Sequence, residues 1–304
     1  MKPGLLTTVQ DLGRLNAMSA GVPPGGAMDR FAHRAANLLA GNDEGAATLE
    51  CTVSGPVLVA LRPSLVAITG ADFDPRVNGQ PVPVWTSLVL NEGDELKFAG
   101  RRSGARAYIA VAGGIAGDRW LGSVSTYLLA ERGGMHGRPL IAGDVIVATD
   151  VPPTPAGLDR RLPHELRPDY ADHTLPAIAG PHLERLPAES RSALFGSTYT
   201  VSRDADRMGY RLEGQSLDAS GEELLSFGLV AGVVQVPRSG QPILLMSDHQ
   251  TAGGYPVVAT IAGAAMPVAA QLLPGEELRF AEVSIETALR MRAAQRAALD
   301  SLKS

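Results

Sequence analysis

Short runs in which apolar and polar residues alternate recur along most of the chain and predict β-strands. The runs are bounded by Gly, Asn, Asp or Pro and follow one another about every ten residues, which is typical of β-sandwiches and β-barrels. In the first half of the chain the predicted strands are "ATLECTV", "GPVLVAL", "SLVAITG", "VPVWTSLVL", "DELKFAG" and "ARAYIAVAGG". A second block of such runs extends from "LPAIAGP" to "GEELRFAEV". The pattern predicts a mainly β protein.

Two segments have helical spacing instead. In "DRFAHRAANLLAGN" the apolar residues recur every three or four positions, and Asp29 is suited to cap the helix at its N-terminus. The chain closes with "SIETALRMRAAQRAALDSLKS", which predicts an amphipathic helix capped by Ser284, with Glu286 in its first turn.

The alternation stops in a Pro-rich, charged segment in the middle of the chain, "VPPTPAGLDRRLPHELRPDYADHTLP". Such a segment, without an apolar period, is typical of a linker. We therefore predict an N-terminal β domain over residues 1–150, a linker over 151–177, and a C-terminal β domain with the terminal helix over 178–304.

One polar stretch, "MSDHQTAGGYP" at Met246–Pro256, separates two apolar runs that predict strands. It is longer than the two to five residues of a hairpin tip. The Asp248 carboxylate could accept a proton or a substrate N–H, while Gln250 and Thr251 could orient a ligand and Gly253 allows its close approach. We predict that this stretch is part of the working site.

A second candidate is "QDLGR", where Gln10, Asp11 and Arg14 follow a predicted strand. The planar guanidinium of Arg14 suits a carboxylate or a phosphate. The alternative is a surface ion pair between Asp11 and Arg14 that binds nothing.

Two further segments carry candidate binding groups. The hydroxyl-rich "GSVSTY", which contains Ser125, could cradle an anion with its backbone amides, or could be an ordinary loop. In "DADRMGYRL" we predict that Arg207 clamps a charged group and that Tyr210 also contacts the substrate, the alternative being a salt-bridged strand edge.

The composition excludes several classes of partner. Among 304 residues, 27 basic and 32 acidic side chains give a net charge of −5. The sequence has no basic patch of the kind that binds nucleic acid or an anionic membrane.

The single cysteine, Cys51, cannot form an internal disulfide and is expected to be a buried thiol. No run has the length of a membrane helix and no signal sequence is evident, so we expect the cytoplasm.

The common catalytic motifs are absent. The sequence contains no P-loop, no dinucleotide-binding G-x-G-x-x-G, no H-E-x-x-H or Cys-His cluster and no G-x-S-x-G elbow. We therefore expect no metal site, and no P-loop-type ATP site within this chain. Any chemistry must come from polar groups that the fold brings together.

Several of these segments together resemble one known family. The shared motifs are "GLLTTVQDLGR", "GVPPGGAMD", "AANLLAGN", "TGAD", "AVAGGI", "GRPLIAGD", "DRMGYRLEG", "VQVPRSGQPILLMSDHQTAGGYP" and "LLPGEELRF", in order from residue 3 to about 290. They are similar to those of the biotin-dependent carboxyltransferase family. This family includes the C subunit of bacterial 5-oxoprolinase, KipA, allophanate hydrolase subunit 2 and part of urea carboxylase.

The resemblance implies two cyclophilin-like β-barrel domains and a hetero-oligomeric enzyme. It implies a 5-oxoprolinase complex with a KipI-like B subunit and with an A subunit, which opens 5-oxoproline to glutamate with ATP, this chain being inactive alone. Asp248 and Arg207 would hold the small lactam or amide substrate and its carboxylate, and the matching motifs also place Gln235 and Tyr255 among the substrate-binding residues. No biotin attachment motif is present, so we expect no covalent biotin. The alternatives are a KipA-like regulator that binds a kinase inhibitor, and a carboxyltransferase component that acts on a urea-like acceptor with a separate biotin carrier.

Overall fold

Strands dominate the computed structural model, which describes residues 2–150, 160–219 and 224–303. The chain forms two units, and each draws on separate parts of the sequence. The first unit comprises Met1–Arg14, Gly25–Pro168 and Arg296–Ser304, and the second comprises Leu15–Pro24 and Asp169–Gln295. The prediction of a mainly β chain with few helices is confirmed, and the unit bounds differ from the contiguous domains that the sequence suggested.

The described part of the first unit contains nine strands. They are β1 (Leu6–Gln10), β2 (Thr48–Thr52), β3 (Leu58–Val59), β4 (Ser64–Asp72), β5 (Pro75–Val77), β6 (Gln80–Pro81), β7 (Thr86–Leu90), β8 (Glu95–Phe98) and β9 (Ser103–Val111). Five of them form an antiparallel sheet in the order β1-β2-β9-β4-β7, and the other four form a sheet in the order β3-β8-β5-β6. The six runs predicted from alternation overlap β2, β3, β4, β7, β8 and β9, whereas β5 and β6 lie outside them.

The described part of the second unit also contains nine strands. They are β10 (Thr174–Ala179), β11 (Thr198–Val201), β12 (Gly209–Gly214), β13 (Phe227–Gly228), β14 (Val233–Gln235), β15 (Ile243–Leu245), β16 (Ala252–Gly253), β17 (Val257–Ile261) and β18 (Glu277–Glu282). Seven of them close into a barrel in the order β10-β17-β14-β15-β12-β11-β18, while β13 and β16 form a separate ribbon. Closure leaves the barrel without unpaired edges.

Four α-helices accompany the strands in the described residues: α1 (Arg30–Leu39), α2 (Ala188–Gly196), α3 (Met266–Ala269) and α4 (Ile285–Asp300). The two predicted helices, α1 and α4, are confirmed with their caps. The Asp29 carboxylate accepts a hydrogen bond from Ala32 N at 2.9 Å, and Ser284 Oγ accepts one from Thr287 N at 3.2 Å. None of the described helices has the length and apolar character needed to cross a membrane.

The core of the first unit lies beneath its larger sheet and includes the single cysteine. Its buried residues include Val9, Leu49, Cys51, Phe73, Ile109 and Ile115. Cys51 is fully buried, as predicted, and burial raises the pKa of its thiol to about 12. The thiol is thus a core group, because a reactive cysteine needs accessible thiolate.

Part of the predicted linker packs onto the first unit. Residues 151–159 lie outside the described residues. Beyond them, Arg161 bridges Thr86 of β7, and Leu162 is completely buried. Strand β10 begins at Thr174, within the segment that the sequence assigned to the linker.

The end of α4 is tied to the first unit by charge. Arg296 donates two hydrogen bonds to the Glu44 carboxylate, at 2.8 and 2.6 Å, and Lys303 Nζ lies 2.8 Å from the same carboxylate. The hydrogen bond from Arg296 is the main reason why the pKa of Glu44 falls to about 2. Leu302 is buried beside these groups, so the end of the chain is part of the fold of this unit.

Candidate functional site

An ion pair holds the beginning of the predicted site loop, Met246–Pro256. Arg207 Nε and Nη2 lie 2.8 and 3.2 Å from the two oxygens of Asp248, and the Asp248 N–H donates to the Arg207 carbonyl at 2.8 Å. Both side chains are largely buried, with exposed fractions of 13% for Arg207 and 9% for Asp248. The two predicted catalytic residues are therefore brought together, and they bind each other. This bidentate arrangement fixes the loop to the turn that precedes β12.

Two glutamine side chains continue the loop as a hydrogen-bonded relay. Gln235 Nε2 donates to the Tyr255 carbonyl at 3.2 Å, which fixes the orientation of the Gln235 amide because a carbonyl can only accept. Gln235 Oε1 then accepts from Gln250 Nε2 at 3.4 Å. This leaves Gln250 Oε1 as an acceptor that no donor from the described residues occupies. The relay thus presents one oriented amide oxygen.

The relay borders a cavity of about 210 Å³ in the second unit. Its lining combines amide, charged and aromatic groups, from Asp204, Asp206, Met208, Gly209, Arg211, Gln235, Ile243, Leu245, Gln250 and Tyr255. A second cavity of about 640 Å³ shares Arg211, Ile243 and Tyr255 with the first and adds Arg238 and Ser239. A small concave site with a few oriented polar groups is the usual form of a small-molecule site.

The predicted residues of the second unit divide into two groups. Gln235, Gln250 and Tyr255 line the smaller cavity. Asp248, Arg207, Tyr210 and Thr251 line neither cavity, and Tyr210 is only 2% exposed.

Gly253 eases the packing of the relay. A Cβ on Gly253 would lie 3.2 Å from Gln250 Nε2 and 3.0 Å from Leu229 Cδ1. A Cβ at this position would require these two flexible side chains to shift by a few tenths of an ångström, so the glycine eases the packing of the loop against Gln250. The groups that lie close to Gly253 in the structure are side chains of the protein, Leu229 and Gln250, whereas the sequence predicted the close approach of a ligand.

The predicted residues of the first unit meet around one buried carboxylate. Asp11 accepts hydrogen bonds from Ser123 Oγ and Ser125 Oγ, each at 2.6 Å, and from Val124 N and Gly13 N, each at 2.7 Å. Burial by itself raises the pKa of Asp11, but the hydrogen bonds outweigh this effect and the pKa lies below its ordinary value. Asp11 and Ser125 therefore join the end of β1 to the "GSVSTY" segment.

Arg14 is buried in the same network instead of forming the surface ion pair that was the alternative. Its guanidinium donates to the Ser125 carbonyl and lies 5.0 Å from the ring centre of Trp120 and 5.8 Å from that of Tyr127. The two rings are stacked nearly parallel, with an angle of 5° between their planes. Aromatic faces of this kind stabilise a guanidinium group.

Gln10 is also buried, with an exposed fraction of 1%. Its Nε2 donates to Thr8 Oγ1 at 3.0 Å and to the Thr126 carbonyl at 3.2 Å. These contacts bring Gln10, Asp11, Arg14 and Ser125 together in space, and their role as substrate-binding residues stays a prediction.

The glycine-rich segment before α1 is fastened to the same region. Ala27 N donates to the Asp11 carbonyl at 2.9 Å, Met28 N to Glu50 Oε2 at 2.8 Å, and Asp29 N to Tyr108 Oη at 2.7 Å. Gly26 has φ of +88°, and a Cβ there would lie 2.8 Å from Gly13 N. Only glycine allows these two loops to approach so closely.

Several residues of these sites were missed by reasoning from sequence. Arg211 lines both cavities of the second unit, and Ser123 and Trp120 complete the networks around Asp11 and Arg14. Among the described residues no group of three or more His, Cys, Asp or Glu side chains is placed to hold a metal ion.

Comparison with known proteins defines the class to which this fold and these sites belong. The family described as carboxyltransferase domain, subdomain A and B, matches residues 20–282, and the chain belongs to that family. The family resemblance found in the sequence motifs is thereby confirmed.

Within the family, the chain is similar to particular proteins over its whole length. It is 38% identical to the C subunit of 5-oxoprolinase from Escherichia coli K12, over 99% of this chain and 96% of that protein. It is 34% identical to the C subunit of 5-oxoprolinase from Haemophilus influenzae, over 97% and 94% of the two chains. Among solved structures, the urea amidolyase of K. lactis superposes with a TM-score of 0.92 at 27% identity, over 99% of this chain. The chain spans about a fifth of that enzyme, since the match covers 19% of it.

Proposed function

We propose that the chain is the C subunit of an ATP-dependent 5-oxoprolinase, a cytoplasmic enzyme of several different chains that opens 5-oxoproline to glutamate. One observation carries the proposal: the match extends over nearly the whole length of both 5-oxoprolinase relatives, but over only 19% of the solved urea amidolyase.

The small cavity of the second unit supports this assignment. A lactam presents one N–H donor and one carbonyl acceptor, and Gln250 Oε1 is an oriented acceptor at the cavity. A cavity of about 210 Å³ suits a small substrate. We propose that Gln235, Gln250 and Tyr255 form the binding surface for the lactam and that the Asp248–Arg207 pair holds the loop that carries two of them.

The proposed reaction divides the chemistry among the chains of the complex. Transfer of the γ-phosphoryl group of ATP to the lactam oxygen would release ADP and activate the ring carbon. Attack of one water on that carbon would break the C–N bond and give γ-glutamyl phosphate, which a second water would hydrolyse to glutamate and phosphate. We propose that ATP binds elsewhere in the complex, on the A subunit or the KipI-like B subunit, because this sequence carries no P-loop. The chain itself would bind and orient the lactam.

Reconstitution of the complex tests the proposal. The chain is co-expressed with its companion chains, and ADP release is measured with 5-oxoproline, with urea and without substrate. Release of ADP and formation of glutamate only with 5-oxoproline are expected. ADP release driven by urea together with a biotin carrier would instead support the carboxyltransferase alternative. An assembled complex without turnover of either substrate would overturn the enzymatic proposal.

A further inference from the structure

Arg211 is an exposed arginine at the boundary of both cavities in the second unit. It lies on β12 between two residues of the barrel interior, Tyr210 and Leu212, which are 2% and 0% exposed. Because neighbouring side chains of a strand point to opposite faces, the burial of these two residues places Arg211 on the outer face of β12.

Arg211 differs from the arginines that the fold uses for its own stability. Arg207 is bonded to Asp248, Arg138 to Asp144 and Arg296 to Glu44. No carboxylate of the described residues lies within ion-pair distance of Arg211. Two acidic residues, Asp204 and Asp206, line the smaller cavity with it, but Asp206 Oδ1 accepts the N–H groups of Met208 and Gly209 at 2.7 and 3.1 Å.

The described residues that line the larger cavity include basic side chains but no acidic ones. Its described lining contains two guanidinium groups, from Arg211 and Arg238, together with the Ser239 hydroxyl and no carboxylate. A planar guanidinium beside a hydroxyl is suited to an oxyanion. Arg211 lines both cavities and Gln250 lines the smaller one with it, so one small ligand could contact both residues.

We propose that Arg211 binds the carboxylate of the substrate while Gln250 Oε1 accepts its lactam N–H. This inference rests on the proposed function, because 5-oxoproline carries a carboxylate next to its lactam nitrogen. The substrate carboxylate is thereby assigned to Arg211 instead of Arg207, because the guanidinium group of Arg207 is bonded to Asp248. The two groups together would distinguish 5-oxoproline from lactams without a carboxylate.

The experiment compares three variants in the reconstituted complex: Arg211→Gln, Arg211→Lys and the control Arg292→Gln. Arg292 is an exposed arginine of α4 that lines neither cavity. Inhibition by 2-pyrrolidinone, a lactam without a carboxylate, and by inorganic phosphate is measured alongside the KM for 5-oxoproline and for ATP. Thermal unfolding of each variant checks its fold, which should be unchanged because Arg211 is exposed.

The KM for 5-oxoproline should rise about ten- to hundredfold in Arg211→Gln, the range expected for loss of a charge-assisted hydrogen bond. Arg211→Lys should recover part of the loss, because Lys keeps the charge but not the planar fork. Inhibition by 2-pyrrolidinone and the behaviour of Arg292→Gln should match the wild type.

Other results would overturn the inference in distinguishable ways. If the wild-type complex turns over 5-oxoproline and Arg211→Gln has the same KM, the carboxylate assignment fails and the proposed function stands. If Arg211→Gln changes only the KM for ATP or the inhibition by phosphate, the anion at Arg211 is a phosphate. If the wild-type complex neither binds nor turns over 5-oxoproline, the proposed function and the inference fail together.

Discussion

At the scale of single residues, the most consequential contact is the ion pair between Arg207 and Asp248. Reasoning from sequence predicted that these two residues act on the substrate, one as a clamp and one as an acceptor. In the structure they bind each other, so we expect any effect on the proposed substrate to pass through the loop that they hold. A pair of this kind is a positioning device, because a small displacement of substrate-orienting groups can lower a rate about a hundredfold.

We predict that Asp248→Asn and Arg207→Lys each lower activity of the complex about ten- to hundredfold and the free energy of unfolding by about 1–3 kcal/mol. The double variant should lose little more than either single variant, because all three lack the same bond. A double-mutant cycle in urea unfolding and in turnover measures the coupling. Strictly additive effects would show that the two residues act independently.

Asp11 is a buried carboxylate whose pKa is set by its hydrogen bonds. Its pKa lies below the ordinary value in the folded chain, so the folded state holds fewer protons on this group than the unfolded state does near its ordinary pKa. The ionised Asp11 carboxylate therefore contributes its full stabilisation of the folded state above about pH 3.9, the pKa of an aspartate in the unfolded chain. This contribution is lost as the pH falls through the pKa that Asp11 has in the folded chain.

We predict that Asp11→Asn lowers the free energy of unfolding at pH 7 by about 2–3 kcal/mol, since an amide cannot accept all four hydrogen bonds. The difference from the wild type should shrink below about pH 4, where the Asp11 stabilisation is itself lost. Denaturant unfolding between pH 3 and pH 7 measures it, with the exposed Asp43→Asn as control. An Asp11→Asn chain as stable as the control at pH 7 would contradict the role given to this carboxylate.

At the scale of secondary-structure elements, sequence patterns predicted most strands but missed a helix that has few buried residues. Alternation is clearest where one face of a strand is buried and the other is exposed, as in the predicted strand β18, whose residues alternate between exposed and buried. The same alternation in β12, where Tyr210 and Leu212 are buried, could have identified Arg211 as an accessible residue. Helix α2 was missed because only Ser190 and Leu194 are buried in it, which is too little apolar periodicity to recognise.

The contacts that assemble the sites could not be predicted from the chain alone. Asp11 meets Ser123 and Ser125, which lie more than a hundred positions later, and local propensity contains no information on such pairs. Sequence motifs located most of the polar segments. They did not show which polar groups bind one another and which remain available to a ligand, because that depends on the tertiary packing.

Helix α4 is fastened at its C-terminal end by the cluster of Glu44, Arg296 and Lys303. The hydrogen bond from Arg296 is the main reason why the pKa of Glu44 is lowered to about 2. The ionised Glu44 therefore stabilises the folded state fully above about pH 4.5, the ordinary pKa of the group, and this contribution is lost as the pH falls towards 2.

We predict that Glu44→Gln lowers the midpoint of thermal unfolding by several degrees at pH 7 and by less at pH 3. The variant loses the ion pairs of this carboxylate with Arg296, Lys303 and Arg34, while at pH 3 part of their stabilisation is already lost in the wild type. Calorimetry at the two pH values measures the difference, with Glu92→Gln as the control for an exposed glutamate without an ion pair in the described residues. Equal midpoints for Glu44→Gln and the control would show that the cluster does not stabilise the fold.

At the scale of the whole molecule, we predict that the chain alone releases no ADP in the presence of 5-oxoproline and binds a KipI-like partner protein stably. The sequence supplies no P-loop, and the sites contain orienting groups without an evident nucleophile and base. An obligate interface should bury over ~2,000 Å². Co-expression with one tagged chain, followed by size-exclusion chromatography and the ATPase assay on each fraction, tests this. Turnover by this chain alone, or an untagged partner missing from the complex peak, would refute it.

The way in which the first unit is completed has a consequence for biosynthesis. Glu44 binds Arg296, a residue 252 positions later in the chain. A polypeptide emerges from the ribosome N-terminus first, so most of the first unit is synthesised long before the segment that completes it. The second unit, by contrast, is synthesised in full once Gln295 has been added. A nascent chain arrested before Arg296 should therefore expose the surface around Glu44 to proteolysis.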